Sequence, residues 1–379
     1  MSRSHDCSLC GFPRALNRKL VWTTDGGIYF QTRNSDRLIF LDEGDISSIM
    51  GVAERECGEN IMERLRECRR SFSREEVSSQ LSGLRRFLFR RWPLAKRVVT
   101  STFREAAFFG CGNITISDIS PRKQLIIKAR HPYHPHLLAG DIWGFWEGLY
   151  GVEAELSISP ESELEWNITV RTTSKSKRKT APVEHPKRPD RDYNLEVCEK
   201  CKLPRFYWDL RWDSELGTIY EAGSHRHLTI TSVEGWRRVI GVIRNSLGDG
   251  FHSSIGAALP ERAASDFALL KGDNYKTAYR NFFLGLSFLG WGRPQSVSRK
   301  PFLIDVDIIG VPFPQLLAWK MAGVFEALES EPAEIQHEKN GESQWSYLVS
   351  PHLNGVFLEI ERMKPERGDP IYPRPILPY

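Results

Sequence analysis

No stretch of this chain is apolar for the roughly 18 residues that a membrane-spanning helix needs. The nearest, FFLGLSFLGWG at Phe282–Gly292, is short and broken by glycine. The opening residues MSRSHDCSLC lack the apolar core of a secretory signal, so a cytoplasmic protein is expected. Charge of one sign is also missing. Lys and Arg number 52 against 48 Asp and Glu, which leaves a net charge of +4 over 379 residues. A nucleic-acid-binding domain normally carries a much stronger basic balance. The chain also has no Gly-rich phosphate loop, HExxH helix or GxSxG elbow, and so bears no signature of the enzyme classes built on them.

What is present begins with cysteine. There are seven, and in a reducing compartment paired cysteines point to metal or redox chemistry rather than structural disulfides. Cys57, Cys68 and Cys111 stand alone. The other four form two motifs, CSLCGFPR from Cys7 and CEKCKLPR from Cys198, each followed by Pro-Arg at the same distance. A CxxC turn presents two thiolates to one ion, and a structural zinc takes four. One shared zinc held by Cys7, Cys10, Cys198 and Cys201 is the leading reading. The alternatives are separate sites completed by groups such as His5 or Asp6, redox pairs, and an iron–sulfur, haem or corrinoid role. A redox CxxC needs a helix N-terminus to lower its thiol pKa. Here Pro-Arg and strand-like sequence follow instead.

The motif pair belongs to a longer repetition. At the same offset Tyr29 meets Tyr220, and Ile39, Glu43, Gly44 and Ile49 meet Ile230, Glu234, Gly235 and Ile240. Further on, Pro135, Leu137, Leu138, Ala139, Gly144, Glu147, Leu149, Ala154, Glu155, Glu163 and Trp166 match eleven residues between Pro314 and Trp345 without a gap. A tandem duplication follows. The first copy covers 1–173, with its CxxC segment at 1–45 and the rest at 46–173. SKSKRKTAPVEHPKRPDR at 174–191 reads as an exposed basic linker. The second copy covers 192–350, divided into 192–231 and 232–350, and 351–379 is a C-terminal extension. Each copy shows short alternating strands with glycine turns, helical sequence near 46–70 and 74–109, one strand, an amphipathic helix, and two last strands. Blocks of this kind indicate an α+β fold with antiparallel sheets, in two copies that pair as an intramolecular pseudo-dimer.

The end of each copy carries a family likeness. AGDIWGFWEGLYGVEAELSISPESELEWNITV, from Ala139, resembles the end of the 4-vinyl reductase domain family, whose members bind small apolar or aromatic ligands. Gly140, Gly144, Glu147, Leu149 and Gly151 stand where that helix would have them, with Ala154–Leu156 and Trp166–Ile168 as the strands. Gly323, Glu326, Leu328 and Trp345 repeat the pattern in the second copy. The resemblance implies a ligand-binding α+β domain that dimerises. Several members carry metal-binding cysteines in the last two strands. This chain has none there, so no metal is expected at that place.

The function expected from all this is binding: a small hydrophobic or aromatic molecule or cofactor is held, sensed or delivered. The alternatives are an enzyme or accessory subunit acting on an aromatic or tetrapyrrole-like substrate, and an assembly scaffold whose pockets have filled. Trp143, Trp146 and Tyr150 share a helix face and form a candidate aromatic wall, with Glu147, Glu155, Trp166, Glu326 and Glu334 as further candidate ligand contacts. Each has a structural alternative as core or as an ion-pair partner. HPYHPH at His131–His136 has no histidine counterpart in GVPFPQ, which argues for a loop. The eleven basic residues from Arg64 to Arg97 form either a solvated face or a dock for an acidic partner protein.

Overall fold

Glycine turns between short alternating strands build the centre of the molecule. The computed structural model describes residues 7–31, 37–58, 60–81, 94–175, 197–202, 204, 210–221, 226–268, 275–300 and 302–352. Leu20–Trp22 (β1), Ile28–Phe30 (β2) and Leu38–Asp42 (β3) form a meander that turns at Gly26, whose φ of 73° suits glycine. Leu210–Asp213 (β8), Thr218–Glu221 (β9) and His227–Ser232 (β10) form a second, turning at Gly217 with φ 70°. The meanders join edge to edge in one antiparallel sheet of order β1-β2-β3-β10-β9-β8.

The register at the join is that of a two-fold. Phe40 faces Ile230, with Leu41 opposite Thr229 and Ile39 opposite Thr231. Beyond the strands, Asp42 accepts from Gly44 N to cap Glu43–Cys57 (α2), and Ser232 accepts from Gly235 N to cap Val233–Leu247 (α6). Asp45, Ile46, Ile49, Met50 and Ala53 are buried in α2 at the positions that Gly235, Trp236, Val239, Ile240 and Ile243 occupy in α6. Caps and burial therefore align Asp42 with Ser232. This corrects by one residue the sequence pairing of Ile39, Glu43, Gly44 and Ile49, and makes Phe40 and Ile230 counterparts that meet on the pseudo-axis.

The helices follow in the same order twice. Gly58, at φ 78°, ends α2, and Asn60–Gln80 (α3) then runs unbroken where the sequence suggested a break near Arg70. Leu94–Phe108 (α4) completes the first set, while Gly250–Ala268 (α7) and Tyr275–Phe288 (α8) are their counterparts. Each half then forms its own four-stranded antiparallel sheet. In the first, Asn113–Ser120 (β4), Gln124–Arg130 (β5), Val152–Pro160 (β6) and Glu165–Lys175 (β7) are ordered β4-β5-β7-β6. In the second, Arg293–Lys300 (β11), Leu303–Ile309 (β12), Ala333–Lys339 (β13) and Gln344–Pro351 (β14) are ordered β11-β12-β14-β13. Strands β4 and β11 were not expected. The α+β class and the pseudo-dimer stand as expected. Residues 174–175 of the expected linker belong to β7, and all the rest of it, like the C-terminal extension beyond His352, lies outside the described residues. Among the described residues no helix is long and apolar enough to cross a membrane.

Pro135–Tyr150 (α5) packs against α3, and Pro314–Glu329 (α9) packs against α7, each within its own half. In the first half Gly140, Gly144 and Gly148 recur every fourth residue along α5 and let it lie against the α3 backbone. A Cβ at Gly144 would collide with the Arg70 carbonyl, and one at Gly140 with the Arg66 carbonyl.

The two halves exchange supports. Trp22 Nε1 donates to Phe288 O at 2.9 Å, and its counterpart Trp212 donates to Phe108 O at 3.2 Å. Phe40 N reaches Leu289 O at 2.8 Å, and Ile230 N reaches Phe109 O at 2.7 Å. Gly26 lies against Gly292 and Gly217 against Gly112, so close that a Cβ on Gly26 or Gly217 would meet the opposing backbone. Each meander is thus seated on the helix–strand junction of the other half, not its own.

Candidate metal centre

The two CxxC turns, one from each half, lie against each other. In the first, Cys7 N donates to Phe12 O and Gly11 N to Cys7 O, both at 2.8 Å, with Gly11 at φ 73°. In the second, Lys202 N donates to Cys198 O at 2.8 Å, and Lys202 takes the left-handed conformation at φ 59° in place of the missing glycine. Phe12, 3% exposed, packs its ring 4.9 Å from that of Trp212 and 6.4 Å from that of Trp22. One aromatic of the first turn therefore rests on both meanders. Arg14–Asn17 (α1) follows, and Asn17 Nδ2 donates to Cys201 O at 3.1 Å, tying the second turn to the first half.

This brings the four thiols together. Cys7 Sγ lies 3.8 Å from Cys198 Sγ, and Cys10 Sγ lies 3.5 Å from Cys201 Sγ. All four sulfur atoms fall within 4.8 Å of one another. A tetrahedral ion with metal–sulfur bonds of about 2.3 Å needs sulfur–sulfur edges of about 3.8 Å, and the two contacts between the halves, at 3.8 and 3.5 Å, lie close to that. A disulfide needs about 2.05 Å, and all four cysteines are free. Cys7 and Cys198 are buried, while Cys10 and Cys201 are half-buried. Burial alone would raise the Cys7 thiol, but the amides of Cys10 and Leu9 and the neighbouring Cys10 and Cys198 thiols bring it down to about 6. Cys198 is lowered against the same burial effect by the amides of Cys201 and Lys200. Cys10 is raised, by burial and by the thiols around it. Amides that favour thiolate over thiol suit a cation held between the sulfurs.

The other candidate residues sit elsewhere. Trp146 is fully buried and donates from Nε1 to Thr172 Oγ1 at 3.1 Å, with the Tyr150 ring 4.5 Å away. Trp143 is half-buried, donates to Ala154 O at 2.9 Å, and carries the Arg70 guanidinium 3.9 Å above its ring. Glu147, fully buried, accepts from Arg70 Nη2 at 2.8 Å, from Arg74 Nη1 at 3.1 Å and from Ala154 N at 2.8 Å. Glu326 accepts from Ala333 N at 3.1 Å. Both glutamates therefore fasten the end of a helix to the first residues of the next strand. Glu155 and Glu334 are exposed on β6 and β13. Trp166 lies near the start of β7, half-buried, with the His136 ring 5.8 Å away. His134 is pushed down to about 3 by burial and then by His136, so it stays neutral.

Much of the basic run turns inward. Arg69, paired with Asp141 at 2.8 Å, and Arg74 are buried, and Arg70 binds Glu67, Glu147 and Glu153. Residues 82–93 of that run lie outside the described residues. A groove of about 760 Å³ opens between α3 and α6, with Asn60, Glu63, Arg64, Cys68, Arg238 and Val242 in its walls. None of the eight expected ligand residues lines it. Sequence reasoning missed Asn17 and Phe12, and nothing in their spacing marks them. Compared with family models, curated proteins and solved structures, the chain matches none.

Proposed function

We propose that this chain is a zinc-clamped binding protein. One structural zinc on Cys7, Cys10, Cys198 and Cys201 locks the halves, and the locked pair binds a small hydrophobic or aromatic molecule. The clustering of four free thiols, two from each half and all within 4.8 Å, carries this reading. The thiol set is all sulfur and closed, as in structural rather than catalytic zinc sites. Because the ligands come from opposite halves, the free energy of metal binding becomes free energy of their association. The ligand part rests on the resemblance of 139–170 to 4-vinyl reductase domains. Native mass spectrometry with metal analysis on purified protein tests both parts: one zinc per chain is expected, with an extractable small molecule. Metal well below one per chain, with all four thiols freely reactive, would remove the clamp.

A specific observation favours a second reading for the ligand part. Trp146, Glu147 and Tyr150 are packed into the core or held by ion pairs, as in an assembly scaffold whose pockets have filled. Metal-loaded protein that yields no small molecule would favour it.

A further inference from the structure

The four thiols do not meet in the way separate CxxC motifs would. Two close sulfur contacts run between the halves, Cys7 with Cys198 and Cys10 with Cys201. The pairs differ in access: Cys7 and Cys198 are 3% and 2% exposed, whereas Cys10 and Cys201 are half-buried. The open pair is also the closer one, at 3.5 Å, and needs to approach by about 1.5 Å to reach disulfide bonding distance. Lys200 reaches across to Ser8 Oγ at 2.5 Å, and Asn17 holds Cys201 O, so the two turns are already tied beside this pair.

We propose that Cys10 and Cys201 are a peroxide-sensitive modification site that releases the metal while keeping the halves joined. This rests on the shared metal site proposed above. With the ion bound, Cys10 would be held as a thiolate, and hydrogen peroxide takes an electron pair from its sulfur, giving a sulfenic acid and hydroxide. The Cys201 thiolate attacks that sulfur, forms the S–S bond and expels a second hydroxide. Two thiolates lose two electrons, peroxide gains two, and two solvent protons complete two waters. The ion keeps only Cys7 and Cys198 and leaves, because a structural zinc needs four donors. An oxidised CxxC closes within its own turn and leaves no sulfur link between the halves when the metal goes. A bond between Cys10 and Cys201 instead replaces one cross-link between halves with another.

The test treats zinc-loaded full-length protein, and the same protein stripped of metal, with one equivalent of hydrogen peroxide. Zinc release is followed with a colorimetric chelator, and disulfides are mapped by non-reducing peptide mass spectrometry. The expected result is one zinc released per disulfide formed, a cross-linked peptide pair containing Cys10 and Cys201, and the same cross-link in the stripped protein. Retained zinc with reduced thiols overturns the proposal, and so do disulfides confined to Cys7–Cys10 and Cys198–Cys201. If the purified protein binds no zinc, the clamp fails alone. The stripped arm still decides the modification site, by whether Cys10 and Cys201 cross-link.

Discussion

The two halves share a backbone plan and hold it with different side chains. In the first, α5 brings Gly140, Gly144 and Gly148 against α3. In the second, the counterparts in α9 are Trp319, Gly323 and Ala327. There the large side chain moves to the other helix: Trp319 packs on Gly256 of α7, where the first half has Arg66. Only the middle glycine survives, and a Cβ at Gly323 would collide with the Pro260 carbonyl as one at Gly144 would with that of Arg70. Close backbone approach at the middle glycine is what both halves preserve. The side chains around it are interchangeable so long as small faces large.

The same contrast appears in charge. Glu147 is wrapped by Arg70, Arg74 and the Ala154 amide, whereas Glu326 is half-buried and keeps the Ala333 amide. Glu147→Gln breaks a buried charge network and is expected to cost about 3–5 kcal/mol. Glu326→Gln keeps an amide oxygen for Ala333 N and is expected to cost under about 1 kcal/mol. Equal losses in urea unfolding would break the comparison.

A smaller effect separates the two ends of the shared sheet. Around α2, Asp42, Glu43 and Asp45 face Glu221, Arg226 and His227 of the second meander, Arg262 and Asp266 of α7, and Lys320 of α9. At the corresponding place in α6 stand Ser232, Val233 and Gly235. Burial, and then the charge of Asp42, raises Glu43 from 4.5 to about 8. Burial first, then Asp42, raises Asp266 to about 6. The folded chain holds these protons more tightly than the unfolded chain, so stability falls as pH rises from about 4.5 towards about 8. Glu43→Gln should flatten the upper part of that fall and melt above wild type at pH 8.5. Parallel melting curves across that range would show that Glu43 does not set it.

Some of this was legible in the sequence, for physical reasons. The hairpins were, because Gly26 and Gly217 are needed at positive φ and the flanking residues alternate. The four-thiol cluster was, because the repetition placed Cys7 and Cys198 at equivalent points, and equivalent points near a two-fold meet. Strands β4 and β11 were not. RPQSVSRK carries a single aliphatic residue, Val297, and in NITISDIS a bulge between Ile116 and Asp118 breaks the alternation of its isoleucines, while β4 pairs by backbone along an exposed edge. The exchange of supports was hidden because a single chain's local pattern does not say which half a strand will join. The one-residue slip between Ile39 and Ile230 had a similar cause, since chance identities outweighed a cap that only geometry reveals. Glu147 drew notice as a candidate pocket acid, and its partners Arg70 and Arg74 lie on another helix, out of reach of spacing arguments.

The central claim is that one ion is shared by both halves, and single substitutions test it directly. Zinc per chain should be one in the wild type and close to zero in both Cys7→Ser and Cys198→Ser, because either removes a ligand from the same site. A variant that loses the metal of one motif while the other motif keeps its own would contradict the account.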